Sequence, residues 1–202
     1  MLFNDGEVHR RLRAPVGRAF TPRRMAHLRA RCADLVDEFL APAEDGDEVD
    51  LQGRLFSPLP ALMLAEPHRR RQPGEDLISA LVDAERRGEL APDEVVGSAT
   101  LLLFAGHETT TNAPRQLAHR VARDRLDLDR RPVAHVAFGH GAHFCVGAAL
   151  ARLEMNVTMP HLARRYPDLA PPGTTRVRSI GLPVVVKTVK RIPVTLGSRV
   201  MA

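Results

Sequence analysis

The feature that most constrains this chain is a glycine-rich loop that holds a cysteine. Residues 138–147 read Phe-Gly-His-Gly-Ala-His-Phe-Cys-Val-Gly, and the helix-forming run 148–155 follows at once. Glycines at 139, 141 and 147 permit positive φ and place no Cβ against a flat ligand. Cys145 precedes a predicted helix N-terminus, whose partial positive charge favours a thiolate. The loop is typical of a site where sulfur holds the iron of a porphyrin. The alternative is a buried structural cysteine beside a glycine turn.

A second unusual stretch, residues 105–111, reads Ala-Gly-His-Glu-Thr-Thr-Thr inside the most apolar predicted helix. Burial of Glu108 is costly without a partner, and Gly106 lowers helix stability by about 1 kcal/mol relative to alanine. We expect the Thr109 hydroxyl to donate to the carbonyl of residue 105 and to bend the helix. Ala105 and Gly106 would leave room for a flat cofactor and for dioxygen. Glu108 and Thr109 could order water and relay protons as the O–O bond breaks. A buried helix with a threonine-rich end is the alternative.

Both stretches resemble the cytochrome P450 monooxygenases. The match to that family's haem-binding loop consists of Phe138, Gly139, Gly141, His143, Cys145 and Gly147. The match to its distal helix consists of Ala105, Gly106, Glu108, Thr109 and Thr110.

The resemblance implies a mainly α fold with small β elements near the C-terminus. It also implies haem (heme b, iron protoporphyrin IX) bound through the Cys145 thiolate, with Glu108 and Thr109 as catalytic residues. The reaction would insert one atom of O2 into a small organic substrate, with electrons from a ferredoxin or a similar carrier.

A third, weaker piece is the sequence His-Arg-Arg-Leu-Arg at residues 9–13. His9 and Arg13 are four residues apart, so they share one helix face and could bind the two haem propionates through charge-assisted hydrogen bonds. The family has a similar pair before a Phe-Thr-Pro turn, and His143 would be another propionate partner. A solvated basic helix face is an equally good interpretation of His9 and Arg13.

The resemblance covers the chain in three pieces, residues 8–65, 73–112 and 124–202, which we interpret as a single partial domain over 1–202. Family members are about twice as long, and the helices that roof the substrate pocket have no counterpart here. Between residues 112 and 124 we find no match to the family's buried Glu-x-x-Arg pair, and its propionate-binding strand arginine is also missing. We therefore expect an incomplete fold, arising from a fragment, a degenerate gene product or a mis-joined gene.

Composition limits the remaining classes of protein. Hydrophobic residues make up 44% of the chain, as in globular proteins, and the formal net charge is +5. The basic residues are 27 arginines and two lysines, which suggests a GC-rich bacterial genome. In the family interpretation, the basic surface over Cys145 would attract an acidic ferredoxin. The N-terminal residues do not resemble a signal peptide and the longest apolar stretch, 95–106, is too short to span a membrane, so we expect a cytoplasmic protein.

Local patterns predict helices over residues 8–40, with Thr21 as an N-cap and proline next, and over 76–87. Another helix would begin at Pro92 and end near Asn112, before Pro114. Short strands are predicted near 49–51 and within 181–196, and a surface loop at 66–74.

Three other functions remain open at this point. The first is a non-catalytic remnant that binds haem loosely or binds another protein. The second is a zinc site made of His140, His143 and Cys145, although their spacing is unusual for zinc. The third is a basic helical domain that binds DNA, for which no recognition motif is evident. We expect no nucleic-acid partner and no membrane.

Overall fold

The computed structural model describes residues 1, 3–64, 77–121, 129, 131, 134–171, 179–181, 187–189 and 191–200. It begins with two helices, α1 (Gly6–Arg18) and α2 (Pro22–Leu40). The Thr21 hydroxyl accepts a hydrogen bond from the Arg24 amide at 3.3 Å, and Pro22 is the first helical residue. This N-cap confirms the helix start that the Thr-Pro pair predicted.

The main hydrophobic core lies where α2 packs against α6 (Ala148–Arg165). From α2 it takes Leu28, Cys32, Leu35, Val36 and Leu40, all buried at the spacing of one helix face. From α6 it takes Leu150, Leu153, Val157 and Leu162. We call this region the α2–α6 core. It holds the helix that follows the cysteine loop against the rest of the molecule.

Between these two helices the chain forms a π-helical turn (Gln52–Phe56) and helices α3 (Pro58–Leu64), α4 (Leu77–Arg86) and α5 (Pro92–Val121). α3 packs on α5, and α4 packs on both α1 and α5. Apolar side chains of α1, α4, α5 and the α4–α5 connection form a second cluster, made of Leu12, Val16, Leu81, Ala84, Leu90, Val95 and Leu102. The predicted loop at 66–74 lies outside the described residues.

The prediction that α5 ends near Asn112 was wrong, because the helix continues through Pro114 to Val121. A proline inside a helix removes one backbone hydrogen bond and disfavours the turn before it. In α5 the hydrogen-bonded turns on both sides of Pro114 outweigh that loss. The helices α1 and α6 also contain an internal proline, Pro15 and Pro160 respectively.

The strands of the described residues are short and form two antiparallel pairs, one between distant segments and one between near neighbours in sequence. β1 (Glu48–Asp50) pairs antiparallel with β4 (Pro193–Thr195), so that Val49 lies opposite Val194. β2 (Ser179–Gly181) pairs antiparallel with β3 (Lys187–Val189). The prediction of a mainly α fold with small β elements is confirmed, and the sequence did not indicate that β1 and β4 would pair.

An ion pair fixes α1 against the start of α5. Arg11 donates from both terminal nitrogens to the Glu94 carboxylate, at 3.0 and 2.5 Å, and Glu94 also accepts from the Ala91 amide at 2.9 Å. These hydrogen bonds lower the pKa of Glu94 to about 2. The helix that carries His9 and Arg13 is thereby attached to α5, which carries residues 105–111.

Candidate haem-thiolate site

The cysteine loop is a tight turn that presents the thiol outwards. The Cys145 amide donates to the Phe138 carbonyl at 2.8 Å, and the Phe144 amide donates to the Gly141 carbonyl at 3.0 Å. Gly139 and Gly141 have φ of 69° and 66°, a conformation in which other residues are strained. Cys145 is exposed, and α6 begins three residues later. This exposure contradicts the alternative of a buried structural cysteine.

Aromatic and cationic side chains brace the loop from outside. The Arg152 guanidinium, one turn into α6, lies 4.4 Å from the centre of the Phe138 ring, within the range of a cation–π interaction. The Phe138 and Phe144 rings lie 6.4 Å apart. Arg13 of α1 donates to the Phe144 carbonyl, next to the cysteine. The loop is therefore connected to both α1 and α6.

His9 of α1 lies next to His143 of the cysteine loop, with ring centres 4.2 Å apart. His9 is only 3% exposed, and its Nε2 has no hydrogen-bond partner among the residues that the structure describes. Burial lowers the pKa of His9, and the nearby His143 and Arg13 lower it further. A solvated basic face therefore does not describe His9. Instead, His9, His143 and Arg13 form a cluster of nitrogen donors, as a site for a carboxylate requires.

On α5, the Thr109 hydroxyl donates to the Ala105 carbonyl at 2.6 Å, the hydrogen bond that the sequence predicted. Packing against α3 explains why glycine occupies position 106, because a Cβ there would lie 2.7 Å from Leu64 Cδ1. The place of Ala105 and Gly106 beside a cofactor stays a prediction. Thr111 is buried and donates to the Phe56 carbonyl at 3.2 Å, which attaches α5 to the π-helical turn.

Asn112 is a residue of this region that the sequence reasoning missed. Its Nδ2 donates to the Glu108 carbonyl at 2.7 Å and to Glu108 Oε1 at 3.3 Å, and Asn112 itself is buried. The amide therefore holds the Glu108 carboxylate on the helix. An amide four residues after an acid is a detectable helical pair, since side chains at that spacing lie on one face.

Glu154 is a second residue that the sequence did not single out. It is 3% exposed, and its Oε2 has no hydrogen-bond partner within the described part of the chain. Burial raises the pKa of Glu154 to about 8. With Thr110 of α5 and Thr158 of α6 it lines a small apolar cavity between these helices. At neutral pH the folded chain therefore holds Glu154 mainly in its protonated form.

The zinc interpretation finds no support in the described residues. No group of three or more histidine, cysteine, aspartate or glutamate side chains among them is arranged to hold a metal ion. Among the same residues, no helix is long and apolar enough to cross a membrane.

Comparison with known proteins identifies the lineage. The family model "Cytochrome P450" matches residues 118–196, which include the cysteine loop. Cytochrome P450 107B1 of Saccharopolyspora erythraea is 28% identical, with 98% of this chain and 77% of the relative covered. Cytochrome P450 monooxygenase PikC of Streptomyces venezuelae is 29% identical, with 84% and 69% covered. The solved structure of P450 monooxygenase TamI with bound tirandamycin C is 25% identical, with a TM-score of 0.73 over 96% of this chain and 76% of that one.

The fold and the loop thus resemble those of the haem-thiolate monooxygenase class. The family model, the curated relatives and the solved structures support a cytochrome P450 of a bacterial type. Its alignment with the first relative spans 316 positions although the chain has 202 residues, so at least a third of those positions are gaps in this chain. The missing segments that the sequence indicated therefore correspond to real differences from a relative.

The residues present fit a haem group. Haem supplies the redox chemistry that activates dioxygen when it is bound. For the iron, the chain offers an exposed thiol on a loop whose glycines adopt positive φ. For the porphyrin carboxylates, it offers the donor cluster of His9, Arg13 and His143, including a buried nitrogen of His9 for which the described residues supply no hydrogen-bond partner. Cys145 is the residue that would hold the iron.

Proposed function

We propose that this chain is a haem-thiolate monooxygenase that inserts one atom of O2 into a small organic molecule. The observation that carries the proposal is the exposed Cys145 thiol, on a loop where the Cys145 amide donates to the Phe138 carbonyl and α6 begins three residues later. The distal residues of α5 support it. Electrons would come from a ferredoxin-type protein, drawn to a chain whose net charge is +5.

Each proposed site residue has a distinct role in this function. Cys145 supplies sulfur to the iron, and Phe138, Gly139, Gly141 and Gly147 shape the loop around it. The Thr109 hydroxyl donates to the Ala105 carbonyl, so its oxygen remains able to accept a hydrogen bond from water. Glu108 precedes Thr109 in the sequence, and its carboxylate accepts a hydrogen bond from Asn112. Glu108 would exchange protons with solvent.

A small organic substrate is supported by relatives rather than by a pocket. TamI, at 25% identity, has been solved with tirandamycin C, and PikC is a monooxygenase. The segments that roof the substrate pocket in the family are the ones missing here, so the substrate class is proposed no more finely than this.

A specific observation favours a second candidate, a non-catalytic remnant of such an enzyme. α5 exposes Val96, Leu103 and Phe104, of which Val96 and Phe104 are 65% and 69% exposed. Exposed apolar side chains along one helix indicate a face that another segment covers in a complete fold. A chain that lacks those segments could bind haem loosely or not at all.

One spectroscopic experiment separates these candidates. The purified chain is mixed with haem, reduced and exposed to carbon monoxide, and the Soret band is recorded. We expect a strongly red-shifted band, which reports thiolate ligation. Cys145→Ala should abolish the shift, and Cys32→Ala, the matched control at a buried cysteine, should preserve it. A shift that survives Cys145→Ala would refute the proposed ligand, and a band at the ordinary position or no band would favour the remnant.

A further inference from the structure

Asp5 uses its side chain in an unexpected way. It occupies the N-cap position of α1, where an aspartate normally accepts a hydrogen bond from the first turn of the helix. Here its carboxylate makes no such hydrogen bond. Instead Asp5 Oδ1 lies 2.8 Å from His143 Nε2, across 138 residues of sequence. The Asp5 side chain therefore contacts the distant cysteine loop instead of capping its own helix.

This contact determines how His143 is presented. One ring nitrogen, Nε2, faces Asp5, while one face of the ring lies against His9. The other ring nitrogen, Nδ1, makes no hydrogen bond to any residue that the structure describes. A carboxylate that accepts from one nitrogen of a histidine fixes the orientation of the ring and the direction of its second nitrogen. His143 is half-exposed and would otherwise rotate.

We propose that Asp5 is a positioning residue, which orients His143 so that the His143 ring can bind a carboxylate of the haem. The inference rests on the proposed function and adds a residue to that site. Asp5 contacts the edge of the His143 ring at Nε2, and the His9 ring lies next to it with the two ring centres 4.2 Å apart. Asp5 itself does not contact the haem in this proposal, because its oxygen is engaged by His143.

The contacts of His9 and Arg13 support the proposal that Asp5 orients His143. The Nε2 atom of His9 is buried and has no hydrogen-bond partner in the described part of the chain, and Arg13 donates to the Phe144 carbonyl beside the cysteine. A carboxylate entering here would meet nitrogen donors from α1 and from the loop together. The bridge from Asp5 to His143 holds these two elements at a common position.

The test measures haem affinity rather than activity. Asp5→Ser keeps a good N-cap residue but is too short to reach His143, and Asp5→Asn retains an oxygen that can accept from Nε2. Glu7→Gln, in the first turn of α1, removes the same charge from an exposed acid and serves as the matched control. Dissociation constants are obtained by Soret titration with haem and with haem dimethyl ester, in which both carboxylates are blocked.

We expect Asp5→Ser to weaken binding of haem about two- to fivefold, the range of an exposed charged hydrogen bond. Asp5→Asn should recover most of this loss, and Glu7→Gln should leave the affinity unchanged. Binding of the dimethyl ester should be equal in all four chains. Tighter haem binding by Asp5→Ser would overturn the proposal, since Asp5 would then compete with the haem for His143. An equal loss for haem and for the ester would also overturn it.

The carbon monoxide spectra of the same variants, all with Cys145 intact, distinguish the two proposals. If the Asp5 effect persists while no variant shows the red-shifted band, the thiolate function fails and the role of Asp5 stands. If the band is present and Asp5→Ser has no effect, only the role of Asp5 fails. If no chain binds the porphyrin, both fail.

Discussion

Cys32 and Cys145 place the same side chain in opposite surroundings. Cys32 is completely buried in the α2–α6 core, with its sulfur 3.9 Å from the Thr158 hydroxyl, whereas Cys145 is exposed on the glycine-rich loop. Burial raises the pKa of Cys32 to about 11. Cys32 is therefore a small apolar group used for packing, and the loop presents Cys145 to a ligand. A cysteine's function here is set by its backbone and neighbours.

Chemical labelling gives the largest expected difference between the two regions. We expect iodoacetamide at about pH 8 to modify Cys145 at least about 100-fold faster than Cys32, because a buried thiol of high pKa is almost never an accessible thiolate. Mass spectrometry of tryptic peptides measures both rates. In Cys145→Ala the folded chain should stay unlabelled until denaturant is added. Comparable rates at both cysteines would mean that the α2–α6 core opens readily.

Core substitutions should distinguish the same regions by stability. Leu35 is fully buried in the α2–α6 core, so Leu35→Ala should lower the free energy of unfolding by about 2–5 kcal/mol. Phe104 is 69% exposed on α5, and Phe104→Ala should change the free energy of unfolding by less than about 0.5 kcal/mol. Urea denaturation followed by circular dichroism measures both. A large loss from Phe104→Ala would show that the exposed face of α5 is already covered in solution.

The parts of the fold that the sequence predicted are local. The Thr21 N-cap and the Thr109 hydrogen bond join residues three or four apart, so residue type and spacing were sufficient. The glycine loop was also predictable, since Gly139 and Gly141 adopt the positive φ that their type permits.

The contacts that sequence reasoning missed join distant residues or depend on cooperative stability. Val49 pairs with Val194, and Asp5 contacts His143, in each case across more than a hundred residues. The local sequence around these residues does not indicate which distant residue each one contacts. The continuation of α5 past Pro114 is also non-local, because it depends on the stability of the whole helix. Long-range partners of this kind follow from packing, which a single sequence does not display.

Glu154 tests the buried region between α5 and α6, with an expected effect smaller than that of Leu35→Ala. Its pKa of about 8 lies above the ordinary value of 4.5, so the folded chain binds the proton more tightly than the unfolded chain. The stability from this proton is fully present below about pH 4.5 and is lost as the pH rises through 8. Between about pH 7 and about pH 9 we expect a loss on the order of 1 kcal/mol.

Glu154→Gln should remove this pH dependence, because the amide is neutral throughout the range and similar in size. The measurement is the urea midpoint of both chains at several pH values between about 6 and about 9. Asp34→Asn, at an exposed acid of α2, is the matched control and should retain the slope of the unsubstituted chain. A slope that persists in Glu154→Gln would show that another group titrates. In that case the cavity beside Thr110 and Thr158 would admit enough water to keep Glu154 ionised in the folded chain.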